Sequence, residues 1–247
     1  MQSLIRILIL TLVGLVPVAV LQAQGTQPAA KAEKPAASSS SGRTDVYHVH
    51  FVKAAPGKAK ELAEFLKEPD PNAPESKGII LRHQDGDEWD YVAIDHIGTK
   101  ATVESAGTPM PPSKRILQEW HNDTFVSGPP WAEFAKEMGL DGDAAKTAGA
   151  VYSVSDYRAV PGHREELEKM LSAPNGATDT ASGSVLLQHL EGAPWTFLSV
   201  TRYDSWEKFA ENEKNSIAQT TKGEGGWFEL RNHVASHHDT LTDRILP

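Results

Sequence analysis

Asp45-Val-Tyr-His-Val-His-Phe-Val-Lys-Ala-Ala-Pro-Gly57 and Val151-Tyr-Ser-Val-Ser-Asp-Tyr-Arg-Ala-Val-Pro-Gly162 are two forms of one pattern, and their alignment decides the reading of the fold. Each is a run of β-branched and aromatic residues, which predicts a strand, stopped by a Pro-Gly turn. Tyr152 follows Tyr47 by 105 residues, and Lys53/Arg158, Leu62/Leu167, Leu66/Leu171 and Gly78/Gly183 keep that offset. At an offset of 106, His83, Gly86 and Trp89 match His189, Gly192 and Trp195. Near the end the offset grows to 116, where Arg115, His121, Asp123 and Thr124 match Arg231, His237, Asp239 and Thr240. A period this long is a duplicated domain and not a solenoid repeat.

Both halves give the same succession of elements. Residues 45–54 and 150–159 read as strands. Leu62, Phe65 and Leu66, matched by Leu167, Met170 and Leu171, make one apolar helical face at i, i+3, i+4 spacing. Two strand-like runs then flank Asp85-Gly86, and again Glu191-Gly192, as in a hairpin. A second helical region follows, clearest over 204–218, with Asp204 or Ser205 as the cap and Trp206, Phe209 and Ala210 as its stripe. A last short strand begins at Thr124 and at Thr240. The order β-α-β-β-α-β is the ferredoxin-like arrangement, so the expected class is α+β. Two such units, 45–140 and 150–247, pair sheet to sheet within one chain, an internal pseudo-dimer expected to be a monomer in solution.

The segment Tyr152 to Gly162 followed by Glu165-Glu166-Leu167 resembles the strand, Pro-Gly turn and first helix of the dimeric α/β-barrel superfamily, which includes the antibiotic-biosynthesis monooxygenase-like proteins. The resemblance covers both halves. It implies a barrel, but its members range over oxygenases, isomerases and haem-handling proteins, so it licenses the fold more than an activity.

Ahead of the repeats, Arg6 precedes the apolar run Ile7 to Val20, with small residues at Ala23 and Gly25. This predicts a signal peptide over 1–23 and a secreted or periplasmic protein; a retained anchor is the competing reading. Residues 24–44 are rich in Pro, Ala, Lys and Ser and read as a flexible tether. The 247 residues contain no Cys, so no disulfide braces the fold and lipidation at a cysteine is excluded. The net charge is -9, and with no clustered Lys and Arg a nucleic-acid role is not expected.

Two constellations carry candidate chemistry. Arg115, His121 and Asp123, with Arg231, His237 and Asp239, are expected to supply an imidazole base, a carboxylate that orients it and a guanidinium for developing negative charge. The structural alternative is a helix-to-strand junction whose Asp and Thr bind backbone amides. His48 and His50 share one strand face and, with His83 and His96, form a candidate metal set of imidazoles; their counterparts Ser153 and Ser155 carry no such ligands. Trp89 and Trp195, with His83 and His189, are candidate walls for a planar ligand, or core packing. There is no Gly-rich phosphate loop, G-x-S-x-G or H-E-x-x-H, and nothing in the sequence names a cofactor. The leading expectation is a module binding a small apolar or aromatic molecule between sheet and helices. A cofactor-independent monooxygenase or related proton-transfer enzyme and a cell-envelope interaction protein are the alternatives.

Overall fold

The computed structural model describes residues 42–68, 77–99, 111–142, 147–174, 176–224 and 226–246; the expected signal segment and most of the tether lie outside them. The strands are β1 (Asp45–Ala54), β2 (Gly78–Asp85), β3 (Tyr91–Thr99), β4 (Gln118–Gly128), β5 (Val151–Ala159), β6 (Gly183–Glu191), β7 (Phe197–Tyr203) and β8 (Val234–Leu246). The helices are α1 (Ala59–Leu66), α2 (Trp131–Glu137), α3 (Arg164–Leu171), α4 (Trp206–Thr221) and α5 (Trp227–His233), with a 3-10 helix over Pro112–Leu117. The fold is α+β, with one large antiparallel sheet closed into a barrel in the order β1-β3-β2-β8-β5-β7-β6-β4. The first four strands run β4-β1-β3-β2 and the last four β6-β7-β5-β8, joined at two seams, β2 with β8 and β4 with β6. Closure leaves no unpaired sheet edge among the described residues.

Alternation along each strand sorts side chains between the barrel interior and its outer face. Tyr47, Val49 and Phe51 of β1 point inward to Val92 and Ile94, Ile79 and Leu81, Val126, Tyr152 and Val154, Leu187 and Val200, forming one core shared by both halves. The outer face is covered in part by helices: Leu62 of α1 packs with Val52, Tyr91 and Leu117, and Leu167 of α3 with Phe197 and Val234. Ser205 caps α4 as expected, its Oγ accepting the Lys208 amide N–H at 3.3 Å.

Helix α2, which the sequence reading did not foresee, lies in the connection between the halves and closes one end of the barrel. Its Phe134 and Met138 are fully buried, and Phe134 stacks on Tyr47 with centroids 4.9 Å apart. The matched tyrosines both tie to its flanks: Tyr47 Oη donates to Pro129 O at 2.7 Å and Tyr152 Oη to Met138 O at 3.0 Å. Burial raises both phenols above their ordinary range. Asp45 Oδ2 accepts the Trp131 amide N–H at 3.1 Å, a cap on the first turn of α2.

At the hairpin turns each half presses on the other. Gly86 and Gly192 adopt φ of 127° and 111°, a region open to glycine and costly for other residues. A Cβ on Gly192 would lie 2.2 Å from Asp123 O, and one on Gly86 2.5 Å from Asp239 O. The matched turns thus abut matched Asp-Thr pairs across the seams. The end of the expected tether is also docked: Arg43 Nη1 donates to Glu168 Oε1 at 2.6 Å and Nε to Leu186 O at 3.2 Å.

Candidate functional site

Strand β4 begins six residues earlier than the sequence reading places it, and this builds the site. His-Asn-Asp-Thr is not a junction but mid-strand, with Asn122 and Thr124 on the inner-facing positions and His121, Asp123 and Phe125 outside. Polar residues at alternate positions hide a strand from hydrophobicity patterns, although alternation is its signature. In the β1–β4 ladder His50 stands opposite Asp123, His48 opposite Phe125 and Val52 opposite His121. The two expected constellations therefore merge into one patch.

Three imidazoles surround the Asp123 carboxylate. His48 Nε2 and His50 Nδ1 donate to the same oxygen, Oδ1, at 2.9 and 2.7 Å, and His121 Nε2 lies 3.4 Å from Oδ2. The His50 hydrogen bond is the main cause, against an opposing push from burial, of an Asp123 carboxyl held down at about 2. Gln118 Nε2 donates to His50 Nε2 at 3.2 Å, which occupies the remote nitrogen of that ring. His48 packs on Phe125 at 5.3 Å and His50 on His121 at 5.4 Å. The side chains of Asp123 and His121 are 44% and 51% exposed, so the patch opens to solvent.

The matching site in the second half is wired differently. Arg231 Nη1 donates to His237 Nδ1 at 3.1 Å, and His237 Nε2 lies 3.4 Å from Asp239 Oδ2. An imidazole whose lone pair already receives an arginine N–H has no basic nitrogen to spare. His237 stacks on Tyr157 at 6.0 Å; burial, and then Asp239, push that phenol up to about 12. Ser153 and Ser155 stand where His48 and His50 stand in the first half; their hydroxyls lie 3.4 Å apart, and Ser155 also hydrogen-bonds Tyr157. In the first half the exposed Arg115 makes no hydrogen bond to His121 among the described residues, so the expected Arg-His-Asp relay exists only in the second half.

The other expected site residues are dispersed. His96 belongs to the α2 end, where its Nε2 donates to Asp45 Oδ2 at 2.7 Å. His83 packs edge-on against Trp89 at 5.9 Å, its Nε2 buried without a hydrogen-bond partner. Neither joins His48 and His50, because β2 and β3 turn His83 and His96 inward while β1 turns His48 and His50 outward; the four histidines do not converge, and His48 and His50 meet Asp123 instead, with ligand atoms within 4.8 Å of one another. Trp89 and Trp195 are core residues, 5% and 8% exposed. His189 sits edge-on to Trp195 at 5.4 Å, its Nε2 accepts the Ala193 amide N–H at 3.1 Å, and burial lowers its basicity. The four residues pack as two His–Trp pairs against the barrel core. The space beside α3 and β6, a cleft of about 440 Å³, is lined by Arg43, Glu133, Glu137 and Ser172 and is open and polar.

The fold is thus a closed antiparallel α+β barrel that carries His48, His50, His121 and Asp123 on its outer face. The chain matches no protein-family model and no curated protein. Among solved structures it is similar to an anthrone oxidase-like protein, at 13% identity with a TM-score of 0.59, over 83% of this chain and 92% of that one. A candidate monooxygenase from Lactobacillus acidophilus NCFM aligns over 81% of this chain and 94% of its own at 8% identity, with a TM-score of 0.47. At these identities the first likeness speaks for the fold alone.

Proposed function

We propose that this chain is an exported proton-transfer enzyme of oxygenase-like kind, built on a duplicated ferredoxin-like unit, with its centre in the first half. The observation that carries the reading is the difference between the two His-x-Asp sites. At His121 the carboxylate of Asp123 orients the ring through Nε2, leaving Nδ1 as an accessible base; at His237 Arg231 occupies that nitrogen. An imidazole held by a carboxylate and open to solvent suits abstraction of a proton from a weakly acidic C–H or O–H. The substrate class is a small planar carbon acid or phenol, in keeping with the name of the anthrone oxidase-like neighbour. The apolar binding-module reading has less support, since the aromatic residues it relied on are packed in the core. Export rests on the pattern of residues 1–23.

Oxygen uptake by the full chain with anthrone, in wild type and His121→Asn, tests the proposal. The variant should lose turnover by about 10²–10⁴-fold, while His237→Asn stays near wild type. Equal rates in wild type and His121→Asn overturn it.

A further inference from the structure

We propose that His48, His50 and Asp123 bind a single divalent transition-metal ion on the outer face of β1 and β4. The inference rests on the reading above only in taking this patch as functional. Two imidazole nitrogens and a carboxylate oxygen converge from two paired strands, with all three ligand atoms within 4.8 Å of one another. His48 Nε2 and His50 Nδ1 stand at hydrogen-bond distance, 2.9 and 2.7 Å, from Asp123 Oδ1, so these ligand atoms need spread by only about 0.5 Å to reach the roughly 3.3 Å edges of a tetrahedral site with ligands about 2 Å from the ion. Mixed N and O donors of this kind select zinc, iron, nickel or copper over magnesium or calcium. Three protein ligands on one side leave outward positions free, which is the plan of a catalytic metal centre and not of a structural one.

The surroundings fit this use. A ligating imidazole offers a lone pair, so His48 binds through Nε2 and His50 through Nδ1 with the ring proton carried on the far nitrogen. For His50 that nitrogen is Nε2, which faces the Gln118 side-chain amide at 3.2 Å; rotation of the amide presents its oxygen as acceptor, the usual outer partner of a ligating histidine. Asp123 then uses Oδ1 for the ion while Oδ2 keeps its approach to His121, so the base of the proposed reaction stands beside the metal. The second half is an internal comparison. Ser155 pairs with Asp239 as His50 pairs with Asp123, and with Ser153 and Ser155 in place of the imidazoles the same strand geometry has no such donor set.

Calorimetric titration of the chelator-treated full chain with zinc ion tests this, alongside His48→Ser/His50→Ser, Asp123→Asn, Gln118→Ala and His238→Gln. The double variant copies what the second half already carries on its matching strand, and circular dichroism checks its folding. One zinc per chain is expected in wild type and in His238→Gln, whose residue belongs to the separate Asp87, Asp156 and His238 group. Binding should vanish in the double variant and in Asp123→Asn, and weaken by about 10–100-fold in Gln118→Ala. Equal affinity in wild type and the folded double variant, or no zinc bound by wild type, overturns the proposal. Oxygen uptake that depends on His121 in a chain that binds no zinc would overturn the metal site and leave the enzyme reading intact. Zinc bound through His48 and His50 without turnover of anthrone would support the metal site and count against that substrate reading.

Discussion

Adding one methyl group at Gly192 should unsettle the seam between the halves and the candidate site together. The residue has φ of 111° and its new Cβ would stand 2.2 Å from Asp123 O and 2.9 Å from Thr124 Cα. Both obstacles are backbone of a neighbouring strand, so no side chain can rotate away; either the hairpin or β4 must move. The backbone conformation alone costs a non-glycine residue about 1–3 kcal/mol, and overpacking adds about 1–3 kcal/mol. Gly162→Ala is the control: it has φ of 86° but nothing within 4 Å of its Cβ, so it carries the first cost without the second. Gly192→Ala should therefore be less stable than Gly162→Ala by about 1–3 kcal/mol. That difference is a fall of about 2–12 °C in melting temperature for a domain of this size. Thermal and urea unfolding of both variants measure it, and zinc titration reports whether Asp123 has shifted. A Gly192→Ala protein as stable as Gly162→Ala would refute the argument that the hairpin bears on the β4 backbone.

Three further outcomes follow from the same geometry. Burial pushes the Asp45 carboxyl up, but hydrogen bonds from His96, Thr44 and the Trp131 amide outweigh it and hold it below the ordinary range. A depressed folded value means stability present above the unfolded carboxylate range and lost as pH falls through the folded value, so Asp45→Asn should be destabilised by about 1–3 kcal/mol at neutral pH, with the deficit narrowing in acid unfolding curves. Asp156 has the opposite sign: burial raises it despite His238, the folded state holds its proton longer, and stability declines as pH rises through that window. Asp156→Asn should therefore raise the neutral-pH melting temperature and lose the advantage below the ordinary carboxylate range. Because all eight strands are paired around the barrel, light scattering should give the mass of a monomer; a stable dimer would contradict internal closure.

Much of the fold was legible because its signals are local. The Tyr47 and Tyr152 strands, the Pro-Gly turns, the Leu62 and Leu167 faces, both hairpins and the Ser205 cap each depend on neighbours within a few residues. The signal for helix α2 was also present, with Trp131, Phe134, Ala135 and Met138 at i, i+3, i+4, i+7 between Pro130 and Gly139; it lies in the connection outside the repeated pattern, so the alignment of the halves did not point to it. The start of β4 escaped because its inward positions are Asn122 and Thr124, polar residues that read as a junction.

For the candidate site, the sequence by itself determined which residues were chemically interesting: the shared face of His48 and His50, the repeated His-x-Asp, and the serines that break the symmetry. It could not tell that these belong together while His83 and His96 do not. Strand alternation fixes that two residues share a face, but which face meets the core and which partner strand lies alongside are set only when the sheet closes. The β1–β4 pairing, between segments some seventy residues apart, brought Asp123 to His48 and His50, and the inward turn of β2 and β3 took the other two histidines away.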